Sequence, residues 1–464
     1  MNICLVTSEY PPFAGGIATY TSALARVLVD FGHSVVVLCT DAAPSLKSST
    51  PDAIRIVDLS KPQSAWHRRI ASAVAGRARE AHHALAAGMA VRDWLLANAA
   101  SQRIDVVEVP DYRGVGACLR DVTLPACIVA GHGTIGECEW YSEGLDNNTS
   151  RFVSALESLG LACSDAVVCH SQSYRREIAE GVGRDVLFAS APYAFPKPEA
   201  VSEKLSRDGR DSTRAPLRLI VLGRLQPCKG PEVLCEAIRT ARATTEVIVD
   251  WYGSSVIAGP SSRDMKTLIS EKYPEIWGTV FKWHAPLPPE QAMVELANAD
   301  ALVIASVWET FGYTAIEAVT AGTPVIISEG AGASYLFRDN GAGIVFPAGD
   351  AQRLADAIQA MTDGNARAAM SRTARKVIQS ELDPAKVVAE RIASYEVAME
   401  RKAVRRQSPY FLGGFGAIMD RLCSEDGQTQ IRDVATLSAA ELLAIVGSRA
   451  RRRVARAIGW AADR

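Results

Sequence analysis

The sequence predicts an α/β protein made of two successive doubly wound domains, each with a parallel sheet that helices cover on both faces. With 464 residues the chain is longer than one hydrophobic core usually supports. Short, uncharged, β-branched segments alternate with stretches of helical periodicity, as is typical of parallel strands buried on both faces. This alternation stops once, near residue 200, and then resumes, so the chain divides there.

Each half of the chain contains six predicted strands. Those of the first half are Ile3–Ser8, Ser34–Thr40, Ile54–Leu59, Asp105–Val109, Cys127–Ala130 and Ala166–Ser171. Those of the second half are Leu217–Leu222, Glu246–Tyr252, Thr279–Trp283, Ala301–Ala305, Pro324–Ser328 and Gly343–Phe346. Prolines and charges without periodicity fill the stretch between them, which is linker composition. We therefore expect a domain over residues 1–195, a linker at 196–216, a second domain over 217–385, a helix at 386–407 and an extension at 408–464.

Composition argues against several classes of protein. Apolar residues make up 48% and charged residues 22% of the chain, which is a globular balance. The net charge of −2 argues against nucleic-acid binding, which needs a cationic surplus. No apolar run is long enough to span a membrane, and a strand directly follows Met1 and Asn2, so we expect no signal peptide. The ten cysteines form no Cys-x-x-Cys pair, and we expect reduced thiols in a cytoplasmic protein.

Ligands of doubly wound sheets bind at the carboxyl ends of the strands, and three loops there carry candidate site residues. The first loop follows the first strand, where Gly15 and Gly16 precede a helix. Backbone N–H groups at a helix N-terminus attract phosphate, and glycines let a ligand approach closely. The spacing is not G-x-G-x-x-G, so a redox dinucleotide site is unsupported, and a plain tight turn also explains the pair.

The second loop follows the first strand of the second domain and contains Arg224 and Lys229. A leaving diphosphate is well matched by two such cations, a planar guanidinium that binds in bidentate fashion and a compact ammonium. The alternative is that both are solvated loop charges. Two doubly wound domains that face each other leave a cleft between them, and the place of both residues at a strand end facing that cleft favours the functional interpretation.

The third loop follows the strand Ala301–Ala305 and places Glu309 in a strand-to-helix turn and Glu317 on the helix. Carboxylates accept hydrogen bonds from sugar and ribose hydroxyls, and the N–H groups of the turn can hold phosphate. The competing interpretation of Glu309 is an N-terminal helix charge that the helix dipole favours.

Together these loops resemble the retaining glycosyltransferases of family four, which have the GT-B fold. The matching segments are P-P-x-x-G-G-I at 11–17, G-R-L-x-x-x-K-G at 223–230, E-T-F-G-x-x-x-x-E at 309–317 and A-G-T-P-V-I-x-S at 321–328. The resemblance extends in order and spacing to about residue 400. It implies two Rossmann-like domains that face each other across a cleft, with a nucleotide-sugar donor in the C-terminal domain and an acceptor in the N-terminal one.

The resemblance also implies roles for individual residues. Gly16 would approach the donor's phosphates, and Arg224 and Lys229 would hold the diphosphate. Glu309 would contact hydroxyls of the donor sugar, and Glu317 would bind the ribose. Further contacts to the donor, through backbone groups, are implied for Gly15, Phe311, Gly312, Tyr313 and Thr314.

A histidine beside the reacting centre is also implied, and it matches His132, which lies at a strand end between two glycines. The alternative is a hydrogen-bonded structural histidine. The chain departs from the family pattern near the expected nucleobase. Ser255 stands where a second glycine is usual, and Trp283-His284 stands where a small residue is typical. We expect a UDP or GDP sugar as donor, while these departures leave the base open.

The C-terminal extension is basic, because residues 401–464 contain 12 Lys and Arg against 6 Asp and Glu. Five arginines lie near its end with apolar residues between them: Arg449, Arg451, Arg452, Arg453 and Arg456. A basic helix of this kind can lie on an anionic membrane surface, which would make the protein peripheral on the inner face of the membrane. A solvated terminal helix or a disordered basic tail explains the pattern as well.

The sequence thus predicts a retaining hexosyltransferase that needs neither a metal nor another cofactor. Arg224, Lys229 and helix N-termini would stabilise the leaving diphosphate, since no Asp-x-Asp cluster lies at a strand end. His132 and Glu309 would orient and polarise the reactants. The expected acceptor is a glycan, a lipid-linked saccharide or another glycoconjugate precursor. The alternatives are a GT-B epimerase or phosphorylase, and a nucleotide-sugar-binding protein without catalysis.

Overall fold

Two separate parallel sheets make up the core of the protein. The computed structural model describes residues 1–11, 15–42, 54–60, 79–119, 123–136, 148–195, 216–258 and 263–406. Within these ranges the two sheets form two Rossmann-like domains, which confirms the predicted GT-B fold class. Residues 196–215 of the predicted linker, the extension at 408–464 and part of the first glycine loop lie outside the described residues.

The first sheet contains seven parallel strands, and every predicted strand of the first half belongs to it. They are β1 Asn2–Glu9, β2 Ser34–Ala42, β3 Ile54–Asp58, β4 Val106–Pro110, β5 Ala126–Gly131, β6 Ala166–Cys169 and β7 Leu187–Phe188. Their order in the sheet is β3-β2-β1-β4-β5-β6-β7. The described helices of this half are α1 Gly16–Asp30, α2 Arg79–Asn98, α3 Asn148–Cys163 and α4 Gln172–Val182.

The second sheet contains six parallel strands, again at the predicted positions. They are β8 Leu217–Leu222, β9 Val247–Tyr252, β12 Phe281–His284, β13 Ala301–Ile304, β14 Val325–Ser328 and β15 Ile344–Phe346. Their order is β12-β9-β8-β13-β14-β15. The helices are α5 Pro231–Ala241, α6 Met265–Lys272, α7 Pro289–Asn298, α8 Tyr313–Ala321, α9 Ala351–Ala360, α10 Gly364–Glu381 and α11 Pro384–Arg406.

The predictions missed the shortest strands. β7 is two residues long, and a two-stranded antiparallel hairpin pairs β10 Ile257–Ala258 with β11 Arg263–Asp264. Two residues are too few to show alternation or an apolar run, so no periodicity marks them in the sequence. Helix α2 is described from Arg79 onward, and residues 61–78 before it lie outside the described residues.

Strand order fixes where ligands can bind. Each sheet has a switch point, between β1 and β4 in the first and between β8 and β13 in the second. Neighbouring strands at a switch point send their following loops to opposite faces, which opens a crevice at their carboxyl ends. The loops after these four strands contain the glycine pair, the cation loop and Glu309. The predicted site residues of these loops therefore lie around the two crevices.

A buried carboxylate joins the last helix to the first domain. Helix α11 packs against β4, β5 and β6. On β4, Glu108 is 3% exposed and accepts hydrogen bonds from Tyr20 Oη at 2.5 Å and from Tyr395 Oη at 2.7 Å. Arg391 of α11, fully buried, lies 3.4 Å from the same carboxylate. A buried charge is tolerated when it is paired and hydrogen-bonded, as here.

We predict that removing one partner of this cluster destabilises the protein strongly. Glu108→Gln or Arg391→Met should each cost about 3–5 kcal/mol, because the remaining charge stays buried without its partner. Glu236→Gln, which breaks an exposed ion pair with Arg239, should change stability by less than about 0.5 kcal/mol. Urea unfolding followed by circular dichroism measures all three variants. A loss for Glu108→Gln no larger than that of the control would contradict the assignment.

Candidate active site

The cation loop of the second domain packs directly on the end of β13. Gly230 has φ +66°, and a Cβ atom there would lie 2.1 Å from the carbonyl oxygen of Ala305. Only glycine fits this position, because a side chain would push the loop away from the strand. The preceding 3-10 turn, Pro227–Lys229, therefore carries Lys229 to the edge of the crevice after β13.

Lys229 and Glu309 are brought together by this packing. The Lys229 ammonium forms an ion pair with Glu309 Oε1, and Ser306 Oγ donates a hydrogen bond of 2.8 Å to Glu309 Oε2. Gly223 and Thr314 line the same small cavity. Thr314 belongs to the first turn of α8, so a helix N-terminus borders the ion pair. Cations and helix N–H groups at one point form a binding site for phosphate groups.

Gly312 supplies the turn that links Glu309 to α8. It precedes the helix with φ +97°, a left-handed conformation that favours glycine. Phe311 and Tyr313, on either side, turn their rings inward and lie 5.0 Å apart. The backbone contacts to the donor that the resemblance implies for these two residues stay a prediction.

Arg224 and the glycine pair lie near a carboxylate of the first domain. A Cβ atom on Gly15 would lie 3.0 Å from Glu9 Oε2, and Gly16 begins α1. Burial raises the pKa of Glu9 above its ordinary value, and the Asp41 charge adds to this, while Arg113 and Arg224 oppose it. The Arg224 charge, on the second domain, therefore acts on Glu9 at the end of β1. Arg224 is exposed and is not among the residues that line the Lys229–Glu309 cavity.

Glu317 lies further along α8, away from Glu309. Its side chain is half-buried, and burial raises the pKa of its carboxyl above the ordinary value. It is not among the residues that line the Lys229–Glu309 cavity. Glu317 is thus separate from the Lys229–Glu309 cavity, and the ribose contact that the resemblance implies for it stays a prediction.

His132 follows β5 and is enclosed by aromatic rings. Its backbone N–H donates to Asp111 Oδ1 at 2.8 Å, and its ring lies edge-on to Tyr20 at 4.3 Å. Burial, with a further contribution from Arg391, lowers the pKa of His132 from the ordinary 6.5 to about 3. The imidazole is therefore neutral at physiological pH.

Two residues of this region were missed in the sequence. His170, after β6, is 2% exposed, and its ring lies 5.3 Å from those of Tyr20, His132 and Phe311. Asp111, after β4, accepts hydrogen bonds from Gly133 N and from Tyr174 Oη in addition to His132 N. Both follow strands that neighbour β5 in the sheet. A polar residue directly after each adjacent strand was the signal that identifies them.

The departures from the family pattern have structural counterparts. Ser255 Oγ donates to Asp264 Oδ1 and accepts the N–H of Lys266, each at 3.0 Å, so this serine fixes the β10–β11 hairpin to α6. The His284 ring stacks on Tyr252 at 4.5 Å, and its Nε2 lies 2.8 Å from Asp250. A flat aromatic pair therefore stands at the ends of β9 and β12.

Two kinds of feature are absent from the described part of the chain. No group of three or more His, Cys, Asp or Glu side chains there is arranged to hold a metal ion. No helix in the same ranges has the length and hydropathy needed to cross a bilayer.

Comparison with known families identifies this arrangement. The model for Glycosyl transferases group 1 matches residues 206–377, and the model for Glycosyltransferase Family 4 matches residues 14–187. The crevices, the cation loop and the paired glutamates lie within these matches. The chain belongs to the family 4-like glycosyltransferases of the GT-B fold and is a nucleotide-sugar glycosyltransferase, as its motifs predicted.

Individual relatives cover most of the chain. It is 26% identical to a glycogen synthase of Mycobacterium tuberculosis over 82% of this chain and 91% of that protein. It is 25% identical to an uncharacterized glycosyltransferase of Methanocaldococcus jannaschii over 86% of this chain and 99% of the relative. Among solved structures, the sucrose-phosphate synthase of Thermosynechococcus elongatus shares the fold with a TM-score of 0.61, at 19% identity, over 88% of this chain and 98% of the other. HepE of Anabaena, solved with UDP-glucose, has a TM-score of 0.58 at 18% identity, over 85% and 100% of the two chains.

We predict that His132 does not titrate between pH 8 and pH 5 in the folded protein. Its pKa of about 3 lies below the ordinary 6.5, so on acidification the unfolded chain takes up a proton there that the folded chain does not. This contribution to stability is complete above about pH 6.5 and is lost as the pH falls toward 3. Histidine-selective NMR, with His132→Gln for assignment and urea-unfolded protein as control, measures the titration. A midpoint near 6.5 in the folded protein would contradict the prediction.

Proposed function

We propose that the protein transfers a hexose from a UDP or GDP sugar to a hydroxyl group of a saccharide acceptor, with retention of configuration and without a metal. The observation that carries this proposal is the Lys229–Glu309 ion pair beside the N-terminus of α8. One cation for a diphosphate and one carboxylate for sugar hydroxyls lie in contact. A complete nucleotide sugar contains both groups that these side chains bind.

Donor binding in this site is an exchange of partners. The charges of Lys229 and Glu309 satisfy each other in the protein by itself. On binding, the diphosphate replaces Glu309 as the partner of Lys229, and hydroxyls of the donor sugar replace Lys229 as the partner of Glu309. Because bond cleavage makes the diphosphate more negative, Lys229 and Arg224 bind it more strongly in the transition state than in the ground state.

The neutral His132 favours a front-side reaction. A histidine with a pKa of about 3 is a poor base, so it orients hydroxyl groups and does not remove the acceptor's proton. The acceptor oxygen attacks the anomeric carbon on the face that the leaving group departs from. The departing diphosphate oxygen takes the acceptor's proton, and the configuration is retained. No covalent sugar–enzyme intermediate is required.

The relatives support the substrate classes. HepE of Anabaena was solved with UDP-glucose, which supports a UDP sugar as donor. Relatives described as glycogen synthase and as D-inositol 3-phosphate glycosyltransferase support hydroxyl-rich acceptors. The proposed acceptor is accordingly a glycan, a lipid-linked saccharide or a similar precursor. Attachment of the extension at 408–464 to an anionic membrane from the cytoplasmic side is proposed on its sequence alone.

We predict opposite effects of the two glutamates on binding of the bare nucleotide diphosphate. Glu309→Gln should raise this affinity several-fold, because it frees Lys229, yet lower kcat with the sugar donor by about 10²–10³. Glu317→Gln should weaken bare-nucleotide binding by about tenfold, because its partner is the ribose. Lys229→Ala should lower both the affinity and kcat.

Isothermal titration calorimetry with UDP and GDP, beside steady-state kinetics with the sugar donors, measures these effects. Glu290→Gln, an exposed glutamate of α7, is the matched control and should behave as the wild type. Equal losses of bare-nucleotide affinity in Glu309→Gln and Glu317→Gln would refute the assignment of Glu309 to the sugar.

We further predict that transfer continues in excess EDTA. The diphosphate charge is balanced by Arg224, Lys229 and the N-terminus of α8. These groups replace the Mg²⁺ ion that neutralises this charge in other transferases. Turnover with and without EDTA measures this. Loss of activity that Mn²⁺ restores would refute the metal-free mechanism.

A further inference from the structure

Glu309, whose carboxylate is proposed to bind the donor sugar, lies between two residues that contact the first domain. Glu309 is flanked by Trp308 and Thr310, and both contact the loop that follows β5. The segment 306–312 belongs to the second domain, whereas the loop at 131–136 belongs to the first. The same short segment thus carries Glu309 and makes the contact between domains.

Thr310 fixes the backbone of His132 from the side of the second domain. Thr310 Oγ1 donates a hydrogen bond of 2.9 Å to the carbonyl oxygen of His132. On its other side, the N–H of His132 donates to Asp111 at 2.8 Å. One end of this residue is therefore fixed by the first domain and the other end by the second. The position of the imidazole depends on both.

Trp308 anchors the segment 306–312 in the core of the first domain. Its side chain is 7% exposed and belongs to an apolar cluster of the first domain to which β4, β5 and α4 contribute. Its Nε1 donates to Glu177 at 3.0 Å, and its ring lies edge-on to Tyr174 at 5.7 Å. Tyr174 in turn donates to Asp111, so the two contacts of the segment meet at one carboxylate.

Glycine at position 133 makes this approach possible. Gly133 has φ +104°, and a Cβ atom there would lie 3.0 Å from Trp308 Cη2 and 3.1 Å from Thr310 Cγ2. The backbone of the His132 loop is therefore in direct contact with both side chains. No space for a water layer is left between the two loops at this point.

We propose that Trp308 and Thr310 are positioning residues. They hold His132 and Glu309 at fixed positions relative to each other across the cleft and exclude water beside them. The inference rests on the proposed places of His132 and Glu309 at the reacting centre. When the two loops are docked, the acceptor side and the donor-sugar side form one rigid unit. When they separate, the donor still binds through its nucleotide, but transfer slows and water reaches the anomeric carbon.

The test compares five variants of the full-length protein, four in the segment 306–312 and His132→Ala. Thr310→Val removes the hydroxyl group and keeps the shape, Thr310→Ser restores the hydroxyl, and Trp308→Phe keeps an aromatic ring without the N–H. Val307→Ala is the matched control, since Val307 is 39% exposed and lies in the same segment. UDP-glucose and UDP serve as probes, and histidine-selective NMR reports the His132 ring without any substrate.

Thr310→Val should shift the His132 signals, lower kcat about tenfold and raise the ratio of donor hydrolysis to transfer, with the UDP affinity within about twofold of the wild type. Trp308→Phe should act in the same direction with a smaller effect. Thr310→Ser and Val307→Ala should resemble the wild type in all readouts. A merely structural loss would lower UDP binding and thermal stability instead of changing this ratio.

Unchanged His132 signals in Thr310→Val, or unchanged kcat and hydrolysis ratio in that variant, would overturn the proposal. His132→Ala separates this failure from failure of the proposed function. If His132→Ala slows transfer while Thr310→Val does not, only the positioning role is wrong. If His132→Ala transfers at the wild-type rate, the place of His132 at the reacting centre is wrong, and the positioning role falls with it.

Discussion

The carboxylate of Glu108 is the constraint on which the arrangement of the two domains depends. It lies in the middle of the first sheet and is satisfied by Tyr20 from α1 and by Arg391 and Tyr395 from α11. A buried charge of this kind is costly without its partners, so α11 is held against the first sheet. Since α11 follows directly on the second domain in the chain, the crevices of the two sheets are kept close to each other.

Much of the fold, and less of the site, follows from the sequence. Strands such as β4 and β13 are apolar on both faces, and this local pattern predicts them. The loops of Lys229 and Glu309 were found because glycines and charges stand at strand ends. Their contact with each other was not, because residues 80 positions apart meet only through the packing of Gly230 on β13.

The same reason explains what was missed in the first domain. Asp111 and His170 are single polar residues directly after short strands, a position that they share with many ordinary loop residues. Their significance comes from the strand order, which brings the ends of β4, β5 and β6 together. Trp308 directly precedes the E-T-F-G motif in the sequence, and only tertiary structure shows that its indole is buried in the other domain.

The burial of Trp308 in the first domain also bears on how such proteins can be recombined. Two-domain enzymes invite the construction of hybrids, in which the donor half of one protein is joined to the acceptor half of another. Here the donor half contributes an indole to the apolar core of its neighbour and relies on Glu177 and Gly133 to receive it. A foreign acceptor half without this socket would leave a large aromatic side chain in water at the cleft. Two halves are therefore compatible only if Trp308 of the donor half meets a glutamate and a glycine equivalent to Glu177 and Gly133, in addition to having a suitable linker.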